Sequence, residues 1–476
     1  RDRIEDTGAK LVITADHQLR GGKQLPLKSI VDEALALGGC DSIQHVLVAK
    51  RSGADVAMQA GRDLWLSELA DKQPTTCSPE WVEAEHPLFL LYTSGSTGKP
   101  KGVQHSTGGY LMHAALTTEW TFDLKHDDVF WCTADIGWVT GHTYITYGPL
   151  ALGGTEIVFE GVPTYPDAGR FWKMIQDHKV SIFYTAPTAI RSLMAYGLKP
   201  LEGKKLDTLK VLGTVGEPIN EEAWHWYDEH VGKKKCPIVD TWWQTENGGI
   251  MISNLAGVTP SKPSYATLPL PGIQPVVVDE QGNEIQGNNV SGNLCVRFPW
   301  PSIIRTTYGD HERCRLNYFA TYKNMYFTGD GCLRDERGFY RITGRVDDVL
   351  NVSGHRIGTA EVENAINMHT GVLESAVVGY PHDLKGQGIY AFVIMDHAPD
   401  DADSIKADIM QTVSRVIGPI ARPDKIQLVS GLPKTRSGKI MRRILRKIAE
   451  NEPGAVGDTS TLLDPAVVED IKNGGL

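Results

Sequence analysis

The sequence predicts an α/β protein with a large N-terminal domain over 1–346, which contains a β-rich subdomain, and a small, mobile α+β domain over 347–476. Three observations predict this fold class. Short apolar runs alternate with longer amphipathic stretches through most of the first domain, as in layered α/β folds. From about 267 to 298, short strands and turns replace that alternation. A compact mixture of helices and strands restarts beyond Asp347, where we expect the domain boundary and a hinge.

The predicted strands lie on apolar or β-branched runs that are bounded by turn-forming residues. In chain order they cover 10–14, 43–48, 88–92, 102–105, 156–159, 210–214, 373–379 and 389–395, with hairpins over 276–285 and 331–343. The predicted helices lie on amphipathic stretches. They cover the end of a helix within 1–9, then 167–178, 221–231, 360–368 and 404–417, and a helix face over 440–448.

Composition and charge exclude several classes of protein. The net charge of −10 argues against nucleic-acid binding as the main role, because a phosphate backbone attracts a basic surface. The chain has no run of eighteen apolar residues, so we expect neither a membrane span nor a membrane partner. The seven cysteines lie far apart without a C-x-x-C pair, which indicates free thiols in a reducing compartment rather than a zinc site or a disulfide framework.

The most informative segment is the loop that follows the apolar run 87–91. Its glycines let backbone N–H groups approach a phosphate, its hydroxyls add donors, and its lysines add positive charge. It is not a Walker A loop, because Thr93 stands where that motif has Gly and Pro100 where it has Ser or Thr. A plain solvated turn explains the two lysines less well. The candidate phosphate-binding residues are Thr93, Ser94, Gly95, Ser96, Thr97, Gly98 and Lys99.

This loop resembles the phosphate-binding signature of the acyl-adenylate-forming enzymes, which include acyl-CoA synthetases, luciferases and peptide-synthetase adenylation domains. The rest of the chain narrows the resemblance to the AMP-forming acetyl-CoA synthetases. The resemblance implies that ATP and Mg²⁺ activate acetate to acetyl-AMP and pyrophosphate, and that coenzyme A then takes the acetyl group. An anionic acid must approach a polyanionic triphosphate, so such an enzyme needs placed cations and donors more than a nucleophile.

Two further segments resemble the nucleotide-binding motifs of this family. The first is a turn after the strand 210–214, and it implies adenine contacts from Gly216, Glu217 and Pro218. A plain strand end is its alternative reading. The second, over 240–246, is more specific. It implies an adenine and nucleotide pocket formed by Asp240, Thr241, Trp242 and Gln244, contact of Thr245 with the α-phosphate, and a Mg²⁺ ligand at Glu246.

The acid pocket and the ribose site follow from the same resemblance. A tryptophan at the pocket floor leaves room for only a very short acyl tail, and Trp243 holds that place. Trp138, Val139, Thr140 and Val215 resemble the remaining walls of an acetate pocket. In the 326–330 motif, Asp330 resembles the carboxylate that accepts two hydrogen bonds from a vicinal diol, and Arg345 resembles its support.

The small domain carries the second set of implied residues. By resemblance, it rotates about Asp347 so that Lys439 serves adenylation and the segment with Ser353, Gly354 and Arg356 serves thioester formation. Lys439 would bridge the carboxylate and the α-phosphate, and Arg356 would face the departing phosphates. Gly354 would leave space for the pantetheine arm of coenzyme A.

Three expectations concern partners and the coenzyme A site. Lys439 resembles a target of reversible acetylation, which implies a lysine acetyltransferase and a deacetylase as partners. The family tends to have arginine for the coenzyme A phosphate where this chain has Ser414, so the neighbouring Arg415 is the candidate. The oligomeric state has no signal in the sequence.

The start of the chain and the alternatives complete the interpretation. The chain starts without Met and directly before the strand 10–14, so we expect that an N-terminal part of the large domain is absent. We expect a cytoplasmic protein, with a nuclear or mitochondrial location open in a eukaryote. Three alternatives stay open: a propionyl-CoA synthetase, an impaired fragment that only binds nucleotide, and, less favoured, an adenylation domain that serves a carrier protein.

Overall fold

The computed structural model describes residues 1–93, 101–346, 349–352, 355–382, 385–398, 401–435, 440–452, 454, 456, 459 and 462–474. In chain order, the strands are β1 (Leu11–Ala15), β2 (Gln18–Arg20), β3 (Lys23–Leu25), β4 (His45–Ala49), β5 (Asp63–Trp65), β6 (Pro87–Thr93), β7 (Lys101–Ser106), β8 (Val129–Cys132), β9 (Thr155–Glu156), β10 (Ile182–Thr185), β11 (Val211–Thr214), β12 (Ile238–Asp240), β13 (Pro275–Val278), β14 (Val290–Val296), β15 (Thr306–Thr307), β16 (Tyr326–Arg334), β17 (Tyr340–Arg345), β18 (Val349–Val352), β19 (His355–Gly358), β20 (Val372–His382), β21 (Gly386–Met395) and β22 (Lys425–Leu428).

The helices are short and connect these strands. In chain order they are α1 (Asp2–Thr7), α2 (Leu27–Ala36), α3 (Leu66–Ala70), α4 (Thr107–Phe122), α5 (Val139–Gly141), α6 (Gly148–Ala151), α7 (Arg170–His178), α8 (Pro187–Met194), α9 (Glu221–Trp226), α10 (His311–Tyr318), α11 (Thr359–Asn367), α12 (Ala402–Val416), α13 (Arg442–Ala449) and α14 (Ala466–Lys472). No helix within the described ranges combines the length and the apolar character that a membrane crossing requires.

The centre of the large domain is a parallel sheet of order β12-β11-β10-β8-β9. Its strands are covered on both faces, and successive side chains of one strand enter different hydrophobic cores. On β10, Tyr184 enters the core that also holds Phe130 and Val211, which we call the site-facing cluster. Its neighbour Phe183 enters the core of Trp131 and the helices α7 to α9, which we call the outer cluster.

Three smaller sheets surround this centre. A parallel sheet β1-β4-β5 lies near the chain start, and an antiparallel sheet β15-β7-β6 carries the two strands that flank the predicted phosphate loop. The antiparallel sheet β13-β14-β16-β17 is the β-rich part that the sequence predicted.

Two predicted elements differ from the structure. The strand expected over 156–159 ends at Glu156, and Val158 is 80% exposed, so its side chain lacks the burial that a sheet position provides. The hairpin expected over 276–285 is present but short: an antiparallel bridge joins Val278 to Glu284, and the Ile285 N–H donates to the Val277 carbonyl at 2.8 Å. The strand β13 also pairs with β14, over four residues.

The C-terminal part forms a sheet of order β19-β18-β21-β20, with β22 parallel to β21. The helices α11 and α12 share one core with these strands, and α13 and α14 share others. The described cores before Ile342 share no residue with those that start at Leu350. This separation supports a boundary near Asp347, which stays a prediction because Asp347 lies outside the described residues.

Candidate active site

The predicted site residues collect at one edge of the central sheet. Because β10, β11 and β12 are parallel, their carboxyl ends meet there, which is where open α/β sheets bind ligands. Val215 directly follows β11, and the segment from Thr241 to Glu246 directly follows β12. The chain therefore delivers the motifs 215–218 and 240–246 to the same edge.

The segment 242–244 is extended, and its successive side chains point to different neighbours; a 3₁₀ turn over Thr245–Asn247 follows it. Gln244 has φ −135° and ψ 165°, which is β geometry with a side-chain period of two. Trp242 and Gln244 both donate to the carboxylate of Asp330, at 3.1 and 2.8 Å. Trp243 instead donates from Nε1 to the Tyr184 hydroxyl at 3.4 Å. One short segment thus contacts two parts of the site, the surroundings of Asp330 and the surroundings of Tyr184.

Asp330 is held on both of its carboxylate oxygens. Oδ2 accepts the bonds from Trp242 and Gln244, while Arg345 Nη1 lies 3.5 Å from Oδ1. Asp330 and Arg345 are register partners on β16 and β17, so the sheet itself sets their proximity. Asp330 is buried, and Arg345 also donates to the Thr328 carbonyl at 3.0 Å. The result is a fixed, charge-balanced carboxylate of the kind that a ribose diol requires.

Glu246 is a buried carboxylate with two close partners. Lys101 Nζ lies 2.9 Å from its Oε1, and the Tyr318 hydroxyl donates to the same oxygen at 2.5 Å. Lys101 also donates to the Tyr318 hydroxyl. Burial by itself raises the pKa of Glu246, but the charge of Lys101 and the two hydrogen bonds outweigh it and lower that pKa to about 2. Glu246 is therefore charged at neutral pH.

The phosphate loop that the sequence predicts begins and ends beside this carboxylate. Thr93 closes β6, Lys101 opens β7, and the two are register partners in an antiparallel pair. The remaining loop candidates from Ser94 to Lys99 lie outside the described residues. His105 of β7 donates from Nε2 to the Thr245 carbonyl at 2.7 Å, which ties this hairpin to the turn that carries Glu246.

Asp240 occupies a different environment from the other two carboxylates. The Thr214 hydroxyl donates to its Oδ1 at 2.8 Å, and burial raises the pKa of Asp240 to about 7. Thr241 donates to the Thr214 carbonyl at 2.8 Å, so β11 and β12 are joined at their ends by side chains as well as by the ladder. The Asp240 carboxyl is therefore only partly ionised at neutral pH, which suits contact with an uncharged nucleobase.

The turn after β11 lies at the exposed rim. Gly216 has φ +95°, a conformation that glycine adopts without steric cost. The Glu217 carboxylate accepts from Thr188 and, at 2.8 Å, from Arg191 of α8. Pro218 is exposed beside it. The turn is thus anchored through Glu217, while its backbone faces the site edge.

The predicted acid pocket is brought together in part. Trp243 packs against the site-facing cluster, which includes Val215, and its ring meets the Tyr144 ring edge-on at 5.1 Å. Trp138 is 40% exposed and Thr140 is half-buried, and neither belongs to that cluster among the described residues. Val139 is buried at the start of α5. The position of the Trp243 side chain is therefore fixed by these contacts. Its role as the pocket floor and the closure of the pocket by Trp138 stay predictions.

The residues expected from the small domain are the least described. Lys439, Ser353, Gly354 and Asp347 lie outside the described residues, and so does the side chain of Arg356, whose backbone belongs to β19. Lys434 and Ile440, which flank the Lys439 segment, form an antiparallel bridge. Arg415 is exposed near the end of α12, with Nη2 3.5 Å from the Thr412 hydroxyl.

Sequence reasoning missed four residues of the site. Lys101 lies in the same basic loop that was singled out, but the candidate set stopped two positions earlier. Tyr318 and Tyr326 flank the Glu246 and Asp330 groups, and Tyr184 supports Trp243. Tyr184 and Tyr318 lie outside every motif, whereas Tyr326 is the first residue of the 326–330 motif but was not taken as a candidate.

The fold and the site together define the class of protein. The family model for the AMP-binding enzyme matches residues 1–305, and the model for the AMP-binding enzyme C-terminal domain matches residues 361–439. The chain belongs to the AMP-binding enzyme family.

Named relatives give the comparison more detail. The chain is 60% identical over 469 residues to the acetyl-coenzyme A synthetase of Methylorubrum populi, covering 98% of this chain and 72% of that protein. It is 58% identical over 472 residues to the acetyl-coenzyme A synthetase of Xanthomonas oryzae pv. oryzae, covering 99% and 73%. The solved acetoacetyl-CoA synthetase from Streptomyces lividans has a TM-score of 0.87 at 22% identity, over 99% of this chain and 71% of that one. This likeness confirms the predicted fold class.

The Lys101–Glu246 pair predicts a stability effect. Both side chains are 13% exposed, so Lys101→Met leaves a buried charge poorly compensated and should lower the free energy of unfolding by about 3–5 kcal/mol at pH 7. Adding Glu246→Gln should recover part of that loss. Because the pKa of Glu246 falls from 4.5 to about 2 on folding, its stabilisation is present above pH 4.5 and lost as the pH falls towards 2. Urea unfolding of the double-mutant cycle measures this, and strictly additive losses would contradict the pairing.

Gly329 predicts a separation of stability from nucleotide affinity. It has φ +71°, and a Cβ there would lie 2.5 Å from Arg345 Nη2. Gly329→Ala should therefore cost about 1–2 kcal/mol of stability and also displace the guanidinium from Asp330, weakening nucleotide binding. Gly338→Ala is the matched control, since φ is +80° but the nearest neighbour of a Cβ is 3.9 Å away. Equal effects of both variants on ATP affinity would remove Arg345 from the nucleotide site.

Proposed function

We propose that this chain is an acid–thiol ligase of the AMP-forming type, an acetate–CoA ligase that makes acetyl-CoA in two half-reactions. Acetate and ATP give acetyl-AMP and pyrophosphate, and coenzyme A then takes the acetyl group and releases AMP. The observation that carries the proposal is the segment 242–246, which places Glu246 by the phosphate-loop strands, turns Gln244 towards Asp330, and sets Trp243 against the Tyr144 ring. The 60% identity to an acetyl-coenzyme A synthetase supports acetate as the acid.

In the adenylation step, the residues of this chain position two anions against each other. Asp330 accepts hydrogen bonds from the ribose diol, and Asp240, Thr241 and Trp242 border the base. Lys101 and Lys439 supply positive charge to the triphosphate and the acid carboxylate, and Thr245 approaches the α-phosphate. The acid carboxylate attacks the α-phosphorus, the bond to the bridging oxygen breaks, and pyrophosphate leaves with those electrons.

Magnesium fits the site through a single carboxylate. The described residues hold no group of three or more His, Cys, Asp or Glu side chains that could hold a metal ion. Mg²⁺ is commonly held by one or two carboxylates together with substrate phosphates, so Glu246, which is charged at neutral pH, is sufficient. When bound, the ion would neutralise phosphate charge.

In the thioester step, movement of the small domain changes which of its residues lie in the active site. Rotation about Asp347 withdraws Lys439 and brings in the segment 353–356. Gly354 and Ser353 then border the pantetheine arm, Arg415 faces the coenzyme A phosphate, and Arg356 balances phosphate charge. The thiol sulfur attacks the acyl carbon, and AMP leaves with the electrons of the acyl–oxygen bond.

Regulation and location complete the proposal. Acetylation of Lys439 by a lysine acetyltransferase would remove the charge that adenylation uses, and a deacetylase would restore it. We place the enzyme in the cytoplasm, where its seven cysteine thiols stay reduced.

The experiment that tests the proposal is acetate-dependent exchange between ATP and labelled pyrophosphate without coenzyme A. We expect exchange by the native chain and none by Lys439→Ala. The same variant should still convert supplied acetyl-AMP and coenzyme A to acetyl-CoA, because the lysine serves only adenylation. A natively folded chain that gives no exchange would refute the proposal.

Trp243 predicts the chain-length preference. Trp243→Gly should raise kcat/KM for acids of four to six carbons at least tenfold while lowering that for acetate, because it removes the pocket floor. Propionate should change least, since one methylene alters binding by only ~1–3 kcal/mol. Trp224→Gly, in the outer cluster, is a control for the loss of an indole elsewhere. Unchanged preference in Trp243→Gly would show that another residue forms the floor.

Gly354 predicts a separation of the half-reactions. A leucine side chain there should block the pantetheine arm, so Gly354→Leu should retain ATP–pyrophosphate exchange and lose acetyl-CoA formation by at least a hundredfold. Gly454→Leu serves as a control, because a Cβ there meets nothing within 4 Å and its φ lies outside the left-handed region. Parallel loss of both half-reactions in Gly354→Leu would contradict the proposed role.

A further inference from the structure

Two buried tyrosines lie between the two ends of the nucleotide site. Tyr318 is the last residue of α10 and is 7% exposed, and Tyr326 is the first residue of β16 and is 3% exposed. Their rings are stacked, with centroids 5.5 Å apart and planes 12° apart. The Trp300 ring meets Tyr326 edge-on at 5.2 Å, which fixes the second ring from the side.

The hydroxyl of the first tyrosine bonds to groups at the phosphate end of the site. Its hydroxyl donates to Glu246 Oε1 at 2.5 Å, and Lys101 Nζ lies 4.8 Å from its ring centroid. The helix α10 is held in place by an Asp310 cap, whose carboxylate accepts from the Arg313 backbone N–H at 3.0 Å. Tyr318 is therefore anchored from its own helix, and the orientation of the Glu246 carboxylate depends on it.

The hydroxyl of the second tyrosine bonds to the ribose end. Its hydroxyl donates to Gln244 Oε1 at 3.1 Å, and Gln244 Nε2 donates to Asp330 Oδ2 at 2.8 Å. The Gln244 amide has its oxygen and nitrogen assigned by this network, because only the oxygen can accept from the tyrosine and only the nitrogen can donate to the carboxylate.

We propose that the stacked Tyr318–Tyr326 pair is a positioning element that fixes the distance between the phosphate-end carboxylate Glu246 and the ribose-end carboxylate Asp330. The pair selects ligands that reach both ends, which are nucleoside triphosphates rather than nucleosides or free polyphosphates. This inference rests on the proposed function, since it assigns the two ends of the site to a bound nucleotide. Neither tyrosine contacts reacting atoms, so both act through the carboxylates.

A ligand series tests the proposal by equilibrium binding rather than by activity. Dissociation constants for adenosine, AMP and MgATP are measured by titration calorimetry on the full chain, and thermal unfolding verifies that each variant is folded. Tyr326→Phe should weaken all three ligands by a similar factor of about 3–10, because all three contain the ribose. Tyr318→Phe should weaken MgATP by about 3–10-fold and leave adenosine within twofold, because the bonds that it loses, to Glu246 and from Lys101, both lie at the phosphate end.

Removal of the first ring provides the decisive comparison. Tyr318→Leu abolishes the stack, so it should weaken adenosine as well, although position 318 makes no hydrogen bond to the ribose end. Tyr322→Phe is the matched control: this buried tyrosine accepts from Asn293 Nδ2 at 2.5 Å in a separate core, so no ligand should change.

The outcomes distinguish this proposal from the proposed function. A native chain that binds neither AMP nor MgATP would refute the proposed function itself. Native binding with unchanged adenosine affinity in Tyr318→Leu would overturn the positioning role alone. If Tyr318→Leu does not fold, equal effects of Tyr318→Phe and Tyr326→Phe on every ligand would overturn it, because the two ends would then not be separately controlled.

Discussion

The site depends on one constraint, the alternation of side chains along an extended segment. From Trp242 to Gln244, a period of two turns Trp242 and Gln244 to the carboxylate of Asp330 and Trp243 to Tyr184, on the side of the proposed acid pocket. The 3₁₀ turn Thr245–Asn247 then carries Glu246. A register shift of one residue would exchange these two sets and dismantle both compartments together. The bridge between Trp242 and Ile252 and the β12–β11 ladder before it hold the segment in register.

Three carboxylates share this site, and they differ in their partners. Glu246, whose side chain is 13% exposed, pairs with a lysine that helps to lower its pKa to about 2, and Asp330 lies beside an arginine. Asp240 has a threonine hydroxyl as its named donor, and burial raises its pKa to about 7. Cationic side chains thus accompany Glu246 and Asp330, whereas Asp240 is only partly ionised at neutral pH.

The sequence predicted the parts of the site that are local in the chain. The turn around Gly216 follows a strand that was predicted over 210–214 and that the structure places at Val211–Thr214. The segments around Asp240 and Asp330 were recognised as motifs, although the strands that contain them, β12 and β16, were not predicted there. The tyrosines were missed, because Tyr318 and Tyr326 act through a ring stack between a helix end and a strand start. No periodic pattern encodes such a contact.

The errors in the fold prediction have a similar cause. The run 276–285 forms the turn of the predicted hairpin with only a short returning arm, and β13 pairs over four residues with β14 from later in the chain. Sequence pattern identifies which residues suit a strand, but it does not identify the more distant partner. Lys101 illustrates a different limit: its place in the loop was evident, but its pairing with Glu246 joins residues far apart in the chain.

The two-sided burial of the central sheet has a consequence for how this enzyme can diverge. On β10, Tyr184 lies on the side of the acid pocket and Phe183 lies in the outer cluster among α7, α8 and α9. These two neighbouring residues thus serve different purposes. Tyr184 borders the proposed acid pocket, and Phe183 packs in the core that supports the fold. Drift in acid preference can accumulate at every second position of the strand while the opposite layer keeps the scaffold intact. Alternate residues of one four-residue strand are therefore subject to different structural requirements.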